Sequence, residues 1–151
     1  MRSIGSGLLA GVGVAAFADE AVFHQLLHWH HFYDRSTPAI GLVSDGLFHA
    51  FGFTAIVVGL FTMADVLRRG TFRPKRWWAG LLLGCGGFQL YDGLVQHKLL
   101  GLHQIRYSVT LWPYDLAWNA VALVLILAGG WLTRGPAGVA TSGIFGTGPQ
   151  D

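Results

Sequence analysis

The chain has 151 residues, 52% of them hydrophobic and only 12% charged, with a formal net charge of +2. Soluble domains carry charge on about a quarter of their residues, so a lipid bilayer is the main solvent here and the sparse basic residues exclude a nucleic-acid footprint. Cys85 is the only cysteine, which excludes an intrachain disulfide, a paired-cysteine redox motif and a cysteine-based zinc site.

Four apolar stretches follow one another, roughly residues 4–31, 44–67, 77–100 and 114–132, each near or above the about 20 residues a helix needs to cross hydrocarbon. Pro38, Pro74, Pro113, Pro136 and Pro149 all fall between or after them. Proline breaks an internal helical hydrogen bond, so this exclusion favours helix and marks the boundaries. The expectation is an all-α integral membrane four-helix bundle over residues 1–134, made of two transmembrane hairpins, 4–68 and 75–134. Residues 135–151, with five glycines and two prolines, are expected to form a disordered cytoplasmic tail.

Seven basic residues (Arg2, Arg68, Arg69, Arg73, Lys75, Arg76 and Arg134) lie at one set of span ends and three (Arg35, Lys98 and Arg106) at the other. The positive-inside rule then puts both termini in the cytoplasm and the histidine-bearing loops outside. A signal-peptide reading of the N-terminus, with cleavage after Ala18, is set aside because this segment has an internal copy.

That copy appears when the sequence is shifted by 73. Gly7, Leu8, Leu9, Gly11, Gly13, Asp19, Val22, His24, Leu26, Leu27 and His30 coincide with Gly80, Leu81, Leu82, Gly84, Gly86, Asp92, Val95, His97, Leu99, Leu100 and His103. Chance similarity of apolar helices explains the leucines and glycines, but not an aspartate and two histidines in register. The second and fourth stretches match more weakly at an offset of 70, through Asp45 with Asp115, Ala50 with Ala120, Ile56 with Ile126 and Gly59 with Gly129. A duplicated hairpin with a pseudo-two-fold axis along the membrane normal follows, placing matched residues opposite each other. Gly7 with Gly11 and Gly80 with Gly84 form small-xxx-small patterns suited to close helix packing.

All seven histidines (His24, His28, His30, His31, His49, His97 and His103) fall in the outer half or its loops, together with Asp19, Glu20, Asp34, Asp45, Asp92 and Asp115. Interfacial solvation suits Asp34, Arg35, Lys98 and Arg106. It suits Asp19, Glu20 and Asp92 poorly, because each lies several turns inside an apolar segment where an unpartnered charge is costly. Helical spacing puts Glu20, His24, His28 and His31 on one face, Asp45 and His49 on another, and His97 about 140° round from Asp92. Carboxylate and imidazole from each hairpin is how di-metal sites are built inside bundles. The expected metal set is His24, His30, Asp45, His49, Asp92, His97, His103 and Glu20, in one cavity. Its nitrogen and oxygen donors suit Zn, Fe, Mn or Cu(II). A rival is haem b with His24 and His97 as axial ligands, in an electron-transfer protein. Another is a small proton-coupled carrier using Asp19, Asp45 and Asp92 as a relay. The expected partners are the lipid bilayer and other membrane subunits or further copies of the chain.

The strings DEAVFHQLLHWHH (19–31), DGLFHA (45–50) and YDGLVQHKLLGLH (91–103) resemble the bacterial family of small predicted membrane proteins catalogued as domain of unknown function 2243. The resemblance covers roughly residues 5–133 and implies residence in a bacterial plasma membrane, with no activity attached. It marks His24, His30, His31, Asp45, His49, Asp92, His97 and His103 as motif positions. The chain departs from the family pattern at His28, Lys98 and Gln104, so no ligand role carries over to His28.

Overall fold

A computed structural model describes residues 2–135. α1 (Arg2–Asp19) passes without a break into a π-helical segment, Glu20–Leu26. After a loop comes α2 (Pro38–Arg68), then α3 (Pro74–Tyr91), which likewise continues into a π-helical segment, Asp92–Leu100; α4 (Trp112–Arg134) completes the chain. The described residues are thus all-helical. The tail expected over 135–151 lies, apart from Gly135, outside the described residues.

The prolines act as starts. Pro38 and Pro74 open α2 and α3 and Pro113 is the second residue of α4, positions whose missing N–H costs no helical hydrogen bond. The Thr37 hydroxyl caps α2 by accepting from the Ile40 N–H at 3.4 Å. Gly70, at φ 63°, follows the end of α2.

α1 packs on α3, α2 lies against α1 and α4 against α3, while α2 and α4 do not approach each other. The order α2–α1–α3–α4 sets the matched helices α1 and α3 side by side in direct contact, with α2 and α4 on the outside. Glycines explain the central contact. A Cβ on Gly7 or Gly11 would strike the carbonyl oxygens of Trp77 and Leu81, and one on Gly80 or Gly84 those of Ile4 and Leu8. Backbones approach this closely only where side chains are absent. Shifted by 73, each of these contacts maps onto another of the set. The flanking contacts behave alike: Gly13 lies against Gly52 and Ile56, and Gly86 against Ala122 and Ile126.

Three segments, Arg2–Leu26, Pro38–Arg68 and Trp112–Arg134, are long and apolar enough to cross a membrane. The fourth expected span, α3 with its π-helical extension, is not among them. It carries Lys75, Arg76, Gln89, Asp92, Gln96, His97 and Lys98, and sits between α1 and α4, so less of it needs to be apolar.

The starts of α1 and α3 meet at one end, where the Arg73 N–H donates to Ser3 Oγ at 3.1 Å. At the other end the two long loops interlock: the Asp34 N–H donates to the Leu102 carbonyl at 3.1 Å and Arg35 Nε to the Gly101 carbonyl at 2.6 Å.

Candidate metal centre

Asp19, Glu20, His24, His30, Asp45, Asp92, Gln96, His97 and His103 are all buried, at the loop end of the helices. The π-helical segments bring them together. An α-helix sets residues five apart well round from each other, whereas i to i+5 bonding superposes them. Asp92 Oδ2 lies 3.0 Å from His97 Nε2, and Asp19 Oδ2 lies 3.8 Å from His24 Nε2. Both pairs are five residues apart and correspond under the offset of 73. The 140° separation expected for Asp92 and His97 is therefore corrected by the change of helix type.

His30 and His103 arrive from the two loops. His30 Nδ1 donates to the Ile105 carbonyl at 3.0 Å and His103 Nδ1 to the Phe32 carbonyl at 2.8 Å, again a pair related by 73. A carbonyl only accepts, so each ring is protonated at Nδ1, and in the neutral imidazole it is Nε2 that offers a lone pair. Both Nε2 atoms, and Nδ1 of His97, are buried with no hydrogen-bond partner, while His97 Nε2 faces Asp92. The two loop rings stack, with centroids 4.5 Å apart and planes 7° from parallel. Ligand atoms of His30, His97 and His103 all lie within 4.8 Å of one another, with Asp92 Oδ1 3.6 Å from His103 Nε2. Gln96 donates to that same oxygen at 3.0 Å.

A second group is richer in carboxylate. His24 Nδ1 is 2.7 Å from Glu20 Oε2 and 3.2 Å from Asp45 Oδ1. Asp45 also takes His31 Nδ1 at 2.6 Å and the Phe32 N–H at 2.7 Å. The groups adjoin through His24 and His30, whose ring centroids are 4.4 Å apart. The halves are unequal. Glu20 has Gly93 as its counterpart under the shift of 73, and Asp115, the counterpart of Asp45, pairs instead with Lys98 at 2.6 Å.

Of the eight expected ligands, seven are brought into these two groups. His49 is not: it is exposed and rests on Phe17, with ring centroids 4.7 Å apart. Gly41, Asp45, Phe48, Gly52, Ala55 and Gly59 are the buried stripe of α2, and Phe48 takes the inward place after Asp45. The face expected for Glu20, His24, His28 and His31 ends at His24, because the helix stops at Leu26 and His28 turns into a left-handed conformation at φ 49°. Spacing also left Asp19 and His31 out of the expected ligand set. The offset of 73 held a signal for Asp19, as the counterpart of Asp92; for His31 the signal was its place in the family motif, while its approach to Asp45 depends on the loop path.

The sequence matches the family described as predicted membrane protein (DUF2243) over residues 6–136. The chain belongs to that family. No curated protein and no solved structure matches it.

Proposed function

We propose that this member of DUF2243 binds one or two transition-metal ions at the loop end of its helices. The observation that carries the reading is the pair of backbone-held imidazoles, His30 and His103, whose Nε2 atoms are buried without a hydrogen-bond partner beside His97 and Asp92. Leaving such groups unsatisfied costs free energy, and a cation held by imidazole and carboxylate offsets it. His30, His97 and His103 with Asp92 form the imidazole-rich position, and Glu20, His24 and Asp45 the carboxylate-rich one. The donors suit Zn, Fe, Mn or Cu(II) rather than a dedicated Cu(I) site.

The haem reading finds less support. Bis-histidine ligation needs an open slot between His24 and His97, and the rings of His30 and His103 sit between them, at 4.4 Å and 6.0 Å from His24 and 6.1 Å and 4.6 Å from His97. Elemental analysis of the purified full-length chain, with a visible spectrum, separates the two. About one or two metal ions per chain without a Soret band is expected; a Soret band, or no metal after incubation with each cation, refutes the proposal.

We further infer a duplicated hairpin, on the support of the contacts that recur at 73, and a topology with both termini cytoplasmic and the metal centre in the outer leaflet. The seven-to-three basic asymmetry supports that orientation. Reporter fusions at residue 72 are expected to be active only in the cytoplasm; periplasmic activity there inverts the site.

A further inference from the structure

A polar cavity of about 470 Å³ opens between His28, Trp29, His30, His31, Asp34 and Tyr107. His30 is common to this cavity and to the buried imidazole group, so the cavity adjoins the candidate centre. At its rim stands His28, exposed and in the left-handed region at φ 49°. That region suits glycine; other residues enter it less often, histidine among the more frequent of them. Under the shift of 73 the counterpart of His28 is Gly101, at φ 55°. Both halves of the fold therefore place a left-handed residue at this point; one is glycine, which pays nothing there, and the other is a histidine, which adds an imidazole at some backbone cost. A residue kept in strained geometry points to a role for its side chain.

The imidazole is oriented for such a role. His28 Nδ1 donates to the His24 carbonyl at 3.1 Å, which leaves the lone pair on Nε2. Two further residues line the same cavity: His31, whose Nδ1 is engaged by Asp45 so that Nε2 is its remaining ring nitrogen, and Asp34, which accepts the His31 N–H at 3.2 Å. Beyond them is His30 Nε2, buried and unpartnered.

We propose that this cavity is the loading mouth of the metal centre, in which His28 makes the first protein contact with a hydrated divalent transition-metal cation. The ion exchanges water for imidazole nitrogen at the rim and moves past His31 and Asp34 to His30. The inference rests on the metal-centre reading and adds a route and a residue to it. The competing role for His28 is structural, as a cap on the His24 carbonyl at the end of the π-helical segment.

The test uses the full-length chain in detergent, stripped of metal and mixed rapidly with Co²⁺, whose visible absorbance reports imidazole ligation. H28G relieves the backbone strain and removes the side chain; H28N tolerates the left-handed region and keeps a donor for the His24 carbonyl. Both variants are expected to load at least tenfold more slowly than the wild type and to reach the same final cobalt per chain. H28N loading at the wild-type rate makes His28 a cap and overturns the proposal. Reduced final cobalt at an unchanged rate makes His28 a ligand and overturns it equally. If the wild-type chain takes up no cobalt at all, the metal-centre reading itself fails; a wild type that loads while H28G and H28N keep pace refutes the mouth alone.

Discussion

Replacing His103 by alanine is expected to strip the purified chain of the ion in its imidazole-rich position, lowering affinity there by about two to three orders of magnitude. The size follows from structural zinc sites, whose about 10–16 kcal/mol of binding is shared over about four ligands, so that each supplies about 3 kcal/mol. His97→Ala removes a ligand of the same group and is expected to match it. Asp92→Asn acts differently, because Asp92 faces both His97 and His103 and is itself held by Gln96. Losing its charge while keeping its shape is expected to weaken binding by about 10- to 100-fold, the range for groups that orient a ligand. Lys98→Ala touches only the ion pair with Asp115 and a hydrogen bond to Gln104, and His49→Ala only the contact with Phe17; both are expected to keep the ion. Titration of the stripped proteins with Zn²⁺ measures all five. A His97→Ala, His103→Ala double variant that still retains stoichiometric zinc would show that those imidazoles are not ligands.

What the sequence discloses of this site depends on which distances a regular helix controls. Glu20 and His24, four apart, meet as helical spacing predicts, because the π-helical segment still leaves them on neighbouring turns. Asp92 and His97, five apart, look separated in any reading that assumes 3.6 residues per turn, and only the switch to i to i+5 bonding joins them. His49 fails for another reason: two candidates, Phe48 and His49, compete for one inward place on α2, and the aromatic ring takes it beside Phe88 and Phe32. His31 reaches Asp45 from an irregular loop, for which spacing gives no rule. The offset of 73 was the more informative signal, since it pairs Asp19 with Asp92, His24 with His97 and His30 with His103 before any geometry is assumed. Its limit is equally physical. Equal sequence does not say whether the paired helices touch directly or through others, and here they touch directly because both faces are glycine.

That contact carries the other large expected effect. At Gly11 a Cβ would strike the Leu81 carbonyl oxygen and sit 2.9 Å from the Cys85 nitrogen; at Gly84 it would strike the Leu8 oxygen and sit 2.9 Å from the Val12 nitrogen. These are backbone atoms of a facing helix, which no rotamer change moves aside. Gly11→Val or Gly84→Val therefore has to push α1 and α3 apart along their length, beyond the 1–3 kcal/mol of ordinary overpacking, to about 4 kcal/mol or more. Gly87→Ala, where a Cβ meets nothing within 4 Å, is expected to leave thermal unfolding in detergent unchanged. The consequence reaches the candidate metal centre, because α1 leads into the segment bearing Glu20 and His24 and α3 into that bearing Asp92 and His97. Even Gly11→Ala, which leaves every ligand in place, is expected to lower both the melting temperature and zinc affinity relative to Gly87→Ala. Equal melting temperatures for the two alanine variants would mean that α1 and α3 do not meet through their glycines, and the convergence of the two halves on one site would lose its basis.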